Sequence, residues 1–207
     1  MGSEMGIRDS PTFIAVSGKG NFKTLEDLVS ASKKAPLNWG VAQIGGTEHI
    51  GLAQFAKEAG IKFKVVPFGS GAQMVQALMA GKIDATLPNV SEAANQVADG
   101  SFRALAVMAE DRLKDYPNVP STYEKGIKAK CSTTRGYAVL ASTPQPIIDQ
   151  ISKAMVKAMK HDVFKSYLAG AGLTVETSVA GTEVWDKHLK AEYKVAEAAL
   201  KELGLVK

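Results

Sequence analysis

The chain has a single cysteine, Cys131, among its 207 residues, so it can close no internal disulfide. Its three histidines, His49, His161 and His188, lie far apart, and no Cys/His spacing of the kind that holds zinc is present. No metal and no cofactor is therefore expected. Apolar runs are short, and none approaches the roughly 20 residues of a membrane-spanning helix. The N-terminus lacks the apolar stretch of a secretory signal. Charge of one sign is also scarce: 25 Lys and Arg against 21 Asp and Glu leave a net charge of +4, dispersed along the chain. That is too mild for a nucleic-acid partner. Catalytic signatures are missing as well. No serine sits in a Gly-x-Ser-x-Gly elbow, and no base–nucleophile pairing stands out from spacing. Cys131, in a β-like segment, reads as an inert buried thiol. No catalytic residue is assigned, and the chain is not expected to be an enzyme.

What remains is an ordinary globular composition, 45% hydrophobic and 22% charged, enough for one large domain or two small ones. Residues 1–10 begin with a leader-like stretch and are set aside as a leader or linker. Beyond them, short apolar runs alternate with amphipathic helical stretches. Strands are expected over 12–16, 37–41, 62–66, 83–87 and 103–108. Helices are expected after the Thr24 N-cap up to Pro36, over 47–59 with Gly60 as the stop, from Gly71 to Ala80, and after a Ser91 cap to Gly100. This alternation predicts an α/β layer fold with a largely parallel sheet. A short helix is expected over 121–125 and a long or crossing strand over 131–141. The pattern then changes. Helices beginning near Ile147, at Asp162 and at Thr182 surround a β-like stretch over 173–176. They present apolar stripes but bring little sheet to cover.

The most informative stretch is 37–50, which reads as a buried strand, a turn containing Gly45 and Gly46, and the start of a helix. Glycines permit positive φ or close approach of a ligand. The helix start offers unpaired N–H groups and the positive end of a dipole, a place for a carboxylate or phosphate. A second unit of the same grammar follows at Phe68-Gly69-Ser70-Gly71, and Asn89 and Ser91 sit after a strand at the mouth of the same layer, where open α/β sheets place ligands. The candidate ligand contacts are Gln43, Gly45, Gly46, Thr47, Gly69, Ser70, Gly71 and Asn89. His49, two residues past Thr47 in the helix, reads as a structural histidine.

The order of these blocks resembles the periplasmic receptors of tripartite tricarboxylate transporters, the Bug or TctC-like family. The resemblance runs from about Thr12 to the C-terminus. It rests on Lys23-Thr24-Leu25-Glu26-Asp27-Leu28, and on Asn38-Trp39-Gly40 followed by Gly45 and His49. It continues in Val66-Pro67-Phe68 with Gly69-Ser70-Gly71-Ala72, in Arg103-Ala104-Leu105-Ala106-Val107, in Pro117-Asn118-Val119-Pro120-Ser121 and in Thr143-Pro144-Gln145-Pro146-Ile147-Ile148.

That resemblance implies an α/β, type II periplasmic-binding-protein-like fold in which two lobes close on a small organic acid. It implies one near-complete lobe, residues 11–128, with 129–207 as the hinge and the returning C-terminal part of the second lobe. Family members carry an additional N-terminal segment, which is expected to be lacking here, leaving apolar surface on the tail and favouring self-association. The implied partners are a small carboxylate and membrane transporter subunits, with no nucleic acid, in a periplasmic or extracytoplasmic setting. This chain departs from the family at Val41, Ala42, Gln43 and Gly46, where hydroxyl or smaller residues are common. The residues alone leave two other readings open: the effector-sensing domain of a LysR-type regulator, and a small enzyme with a glycine-turn anion site.

Overall fold

The structure is a computed structural model that describes residues 4–170 and 175–206. In chain order its elements are β1 (Glu4–Pro11), β2 (Phe13–Ser17), α1 (Leu25–Lys34), β3 (Leu37–Val41), α2 (Thr47–Ala59), β4 (Phe63–Pro67), α3 (Gly71–Met79), β5 (Ala85–Thr86), α4 (Val90–Ala98), β6 (Phe102–Val107), β7 (Ser132–Ala138), α5 (Gln145–Ala158), α6 (Asp162–Gly170), α7 (Val175–Ser178), β8 (Val179–Ala180) and α8 (Thr182–Glu202). The chain divides into two units. The first is Pro11–Ser132 with Ala199–Lys207, and the second is Met1–Ser10 with Thr133–Ala198.

The first unit is built on a five-stranded sheet of order β4-β3-β5-β2-β6. Strands β3, β4 and β5 run parallel, whereas β2 is antiparallel to both β5 and β6. The run Phe13-Ile14-Ala15-Val16 explains why the sheet is covered on both faces. Ile14 and Val16 join Trp39, Val41, Leu28, Leu52 and Phe55 on one side. Phe13 and Ala15 join Met74, Leu78, Ile83, Val90 and Val107 on the other. A continuous apolar run suits a strand buried on both faces, and each large side chain so buried contributes about 1.5–3 kcal/mol. Gly40 shows how closely α3 packs on β3. A Cβ there would lie 2.5 Å from Ile83 Cδ1 and 3.0 Å from Met74 Cγ.

Local signals fix the helix ends. Thr24 caps α1 by accepting the Asp27 N–H, and the Asp27 carboxylate accepts the Thr24 and Lys23 N–H groups. These bonds hold the Asp27 carboxyl below its ordinary value. Gly60, left-handed at φ 64°, ends α2, and Ile61 N–H returns to the Ala56 carbonyl.

Several expectations need correction. Glu4–Pro11, set aside as leader or linker, forms β1, which pairs with β8 in a three-stranded sheet of order β7-β1-β8. Both of its neighbours, β7 and β8, lie in the last part of the chain, so no local pattern announces it. The stretch 83–87 contributes only Ala85–Thr86 as strand. Residues 121–125 form hydrogen-bonded turns, not a helix. There Ser121 and Glu124 bond reciprocally, and Ile127 N–H closes onto the Thr122 carbonyl, so capping signals at both ends leave no room for helix between them. Val175–Ser178 is a helical turn where a β-like stretch was expected; residues 173 and 174 lie outside the described residues. The division between the two units falls at Ser132, and Ala199–Lys207 belongs with the first unit. Within that unit Glu202 pairs with Lys57.

Candidate ligand-binding site

Because β3, β4 and β5 are parallel, the helices that follow them all start at the same edge of the sheet. α2 begins after the loop 42–46, α3 after 68–70, and α4 after 87–89. The loops are tied to one another. Phe68 and Gly69 donate their N–H groups to the Val41 and Ala42 carbonyls at 3.0 and 2.8 Å. Phe13 N–H reaches the Pro88 carbonyl at 3.0 Å, and Thr12 bridges to Asn89. A Cβ on Gly71 would lie 3.3 Å from Glu92 Oε2, which brings the starts of α3 and α4 together.

All eight expected residues therefore stand at this edge, but their polar groups are not all turned outward. Gly45 adopts φ 74° and donates its N–H to His49 Nδ1 at 3.0 Å. Gly46 is the N-cap of α2, and its N–H goes to the Gln43 carbonyl at 3.2 Å. The Gln43 side chain is exposed, as is Thr47. Thr47 opens α2, and its carbonyl accepts a weak bond from the Cys131 thiol at 3.6 Å. Gly69 adopts φ 75°, with its N–H spent on Ala42. Ser70 caps α3 by accepting the Gln73 N–H, and Gly71 is the first residue of that helix.

Asn89, not Ser91, caps α4. Asn89 is buried, and its N–H donates to Glu92 Oε2 at 3.3 Å. The reciprocal pair explains the correction: Asn-x-x-Glu is the spacing of a capping box, and Ser91 already stands inside the helix.

Donors that remain open belong to the helix starts. The first turn of any α-helix has N–H groups without an intrahelical acceptor, and α2 has no side-chain cap bond. Two carboxylates share the edge. Burial pushes the Glu48 carboxyl above its ordinary value and the Glu92 charge adds to this, while a bond from Glu48's own N–H works against it. Burial holds the His49 imidazole below its ordinary value. Glu48 was absent from the expected site; an acid in the first turn after a glycine cap was its only signal. Among the described residues no group of three or more His, Cys, Asp or Glu could hold a metal ion. Among the same residues no helix is long and apolar enough to cross a membrane.

A family model described as tripartite tricarboxylate transporter family receptor matches residues 5–205. The chain belongs to this receptor family. A UPF0065 protein of Bordetella pertussis is 25% identical over 170 residues, covering 81% of this chain and 53% of the relative. A TctC solute-binding protein from Polaromonas superposes with a TM-score of 0.80 at 24% identity, covering 97% of this chain and 69% of that one. The R. palustris protein Rpa4515 with adipate gives 0.81 at 22%, covering 98% and 68%. MatC from Rhodopseudomonas palustris with bound malate gives 0.77 at 21%, covering 96% and 67%. These structures establish a periplasmic-binding-protein type of α/β fold for this receptor-family chain. The chain spans 53% and 59% of the length of the first two curated relatives it matches.

Proposed function

We propose that this chain belongs to an extracytoplasmic solute-binding receptor that captures a small organic acid for a tripartite tricarboxylate-type transporter. The observation that carries the reading is the gathering of three helix N-termini, α2, α3 and α4, at one end of the parallel strands β3, β4 and β5 in a chain of this family. Helix starts present N–H groups and positive dipole ends, which suit a carboxylate. In this reading Gln43, Gly45, Gly46, Thr47, Gly69, Ser70, Gly71 and Asn89 form the ligand edge. The glycines and Asn89 shape it, and the first turns of α2 and α3 supply the donors. The ligands named with the neighbouring structures, adipate and malate, are dicarboxylates and fit the same chemistry.

The receptor works without covalent chemistry. Its ligand favours one conformational state over another, and the membrane subunits of the transporter respond to that state. The setting is periplasmic. The second unit also exposes Tyr137, Leu140, Val163, Tyr167 and Tyr193, an apolar surface that favours self-association.

Calorimetric titration of the chain with malate, adipate and citrate, beside their uncharged amides, tests the reading. Saturable binding of at least one acid, absent for its amide, is expected. Binding of the amides alone refutes the carboxylate assignment.

A further inference from the structure

We propose that His49 is a positioning residue: by accepting the Gly45 N–H it locks the loop 43–46 and sets the start of α2 toward the ligand. This inference rests on the proposed role of that edge as a carboxylate site.

The helix starts of this chain are closed in different ways. Three of them carry a hydrogen-bond acceptor at the third helical position that reaches back to the N–H groups before the helix. In α1 it is Asp27, bonded to Lys23 and Thr24 N–H. In α4 it is Glu92, bonded to Asn89 N–H. In α2 it is His49, bonded to Gly45 N–H at 3.0 Å. The first two follow the capping-box pattern, in which an acidic side chain closes the turn. His49 does the same work as a neutral imidazole. Glu48 and Glu92 already place carboxylates at this edge; an imidazole at position 49 closes the loop without adding a third.

The cap residue differs in the same direction. Thr24 caps α1 and Ser70 caps α3 with a side-chain oxygen on the third N–H. Gly46 has no side chain, and α2 has no side-chain cap bond. The Gly45 and Gly46 amides are bonded within the loop, so loop rigidity and ligand donation are divided between separate groups. The loop amides hold the shape, and Thr47, which opens α2, is exposed.

His49 is itself held firmly. Its side chain is buried, with 5% of the residue exposed, and its ring meets Phe63 edge-on at a centroid distance of 6.2 Å and 89°. Nδ1 can accept only when it carries no proton, so the bond fixes the tautomer with hydrogen on Nε2. Gly45 at φ 74° tolerates the conformation that brings its N–H to that nitrogen. One turn further along, Gly51 packs against Cys131, where a Cβ would lie 2.5 Å from the thiol sulfur. The helix is thus fixed at its base by Gly51 and at its start by His49.

The test uses the 207-residue chain and three variants. H49F keeps a ring and removes the acceptor. H49N places an oxygen where Nδ1 stands. H49Q places one a bond farther out. In the unsubstituted chain, nitrogen NMR is expected to show an unprotonated His49 Nδ1 with through-bond coupling to the Gly45 amide. In H49F, Gly45 amide exchange accelerates and affinity for malate or adipate falls, each by about tenfold, the scale of one lost hydrogen bond. H49N restores both more fully than H49Q, which a role in bulk packing does not predict. A protonated Nδ1, unchanged Gly45 exchange in H49F, or unchanged affinity despite faster exchange each overturns the proposal. If neither acid binds even the unsubstituted chain, the carboxylate reading fails. The coupling and exchange results then still decide whether His49 locks the loop. If H49F does not fold, the coupling in the unsubstituted chain and the H49N–H49Q comparison decide it.

Discussion

Glu48 and His49 are neighbours whose titrations pull stability in opposite directions. Glu48 is raised by burial and by the Glu92 charge, so the folded state keeps a proton that the unfolded state has released. Stability then falls as pH rises from the ordinary glutamate value, about 4.3, through the folded one. Replacing Glu48 by Gln removes that cost. The variant should be more stable than the unsubstituted chain at pH 7 in urea denaturation, and the gap should close as pH drops below the ordinary value. His49 is lowered by burial, so the unfolded state takes up its proton first. Stability is lost as pH falls from about 6.5 through the folded value. H49N should therefore flatten the acid side of the stability profile below the ordinary histidine value of about 6.5. Little of this was legible in the sequence. His49 read as structural and Glu48 was not singled out, because burial and a bond between residues 45 and 49 are products of the turn between them.

Elements were more legible where a local cap declared them. Thr24 with Asp27, the Thr47 start and the Gly60 stop gave α1 and α2 nearly to the residue. At α4 the expected Ser91 cap gives way to Asn89, because the Asn-x-x-Glu spacing forms a capping box. Thr24→Ala should destabilise the first unit by about 1 kcal/mol, measured by thermal or urea unfolding. Gly40→Ala should cost about 1–3 kcal/mol, because its new methyl meets Ile83 and Met74 between α3 and β3. An equal stability for Gly40→Ala would mean that α3 does not pack on the sheet as described. Strand β1 marks the limit of local reading: its pairing at Gly6↔Ala180 joins the two ends of the chain, and only the tertiary fold supplies it.

At the scale of the molecule, the family was legible from ordered blocks spread along the chain, and the match over 5–205 agrees with that span. The fold class followed from alternating strands and helices, while the antiparallel entry of β2 between β5 and β6 did not. A parallel sheet explains why residues from three separate stretches meet at one edge. It does not determine which N–H groups face a ligand; the hydrogen bonds of Gly45, Gly46 and Gly69 do that. Ligand contact therefore falls to the helix starts rather than to the amides of Gly45, Gly46 and Gly69. The measurement that tests this most directly is an amide chemical-shift titration of the nitrogen-15-labelled chain with malate and adipate. The Thr47, Gly71 and Ala72 amides are predicted to shift most, with one saturation curve. Shifts confined to other residues, or no shift with either acid, would contradict it.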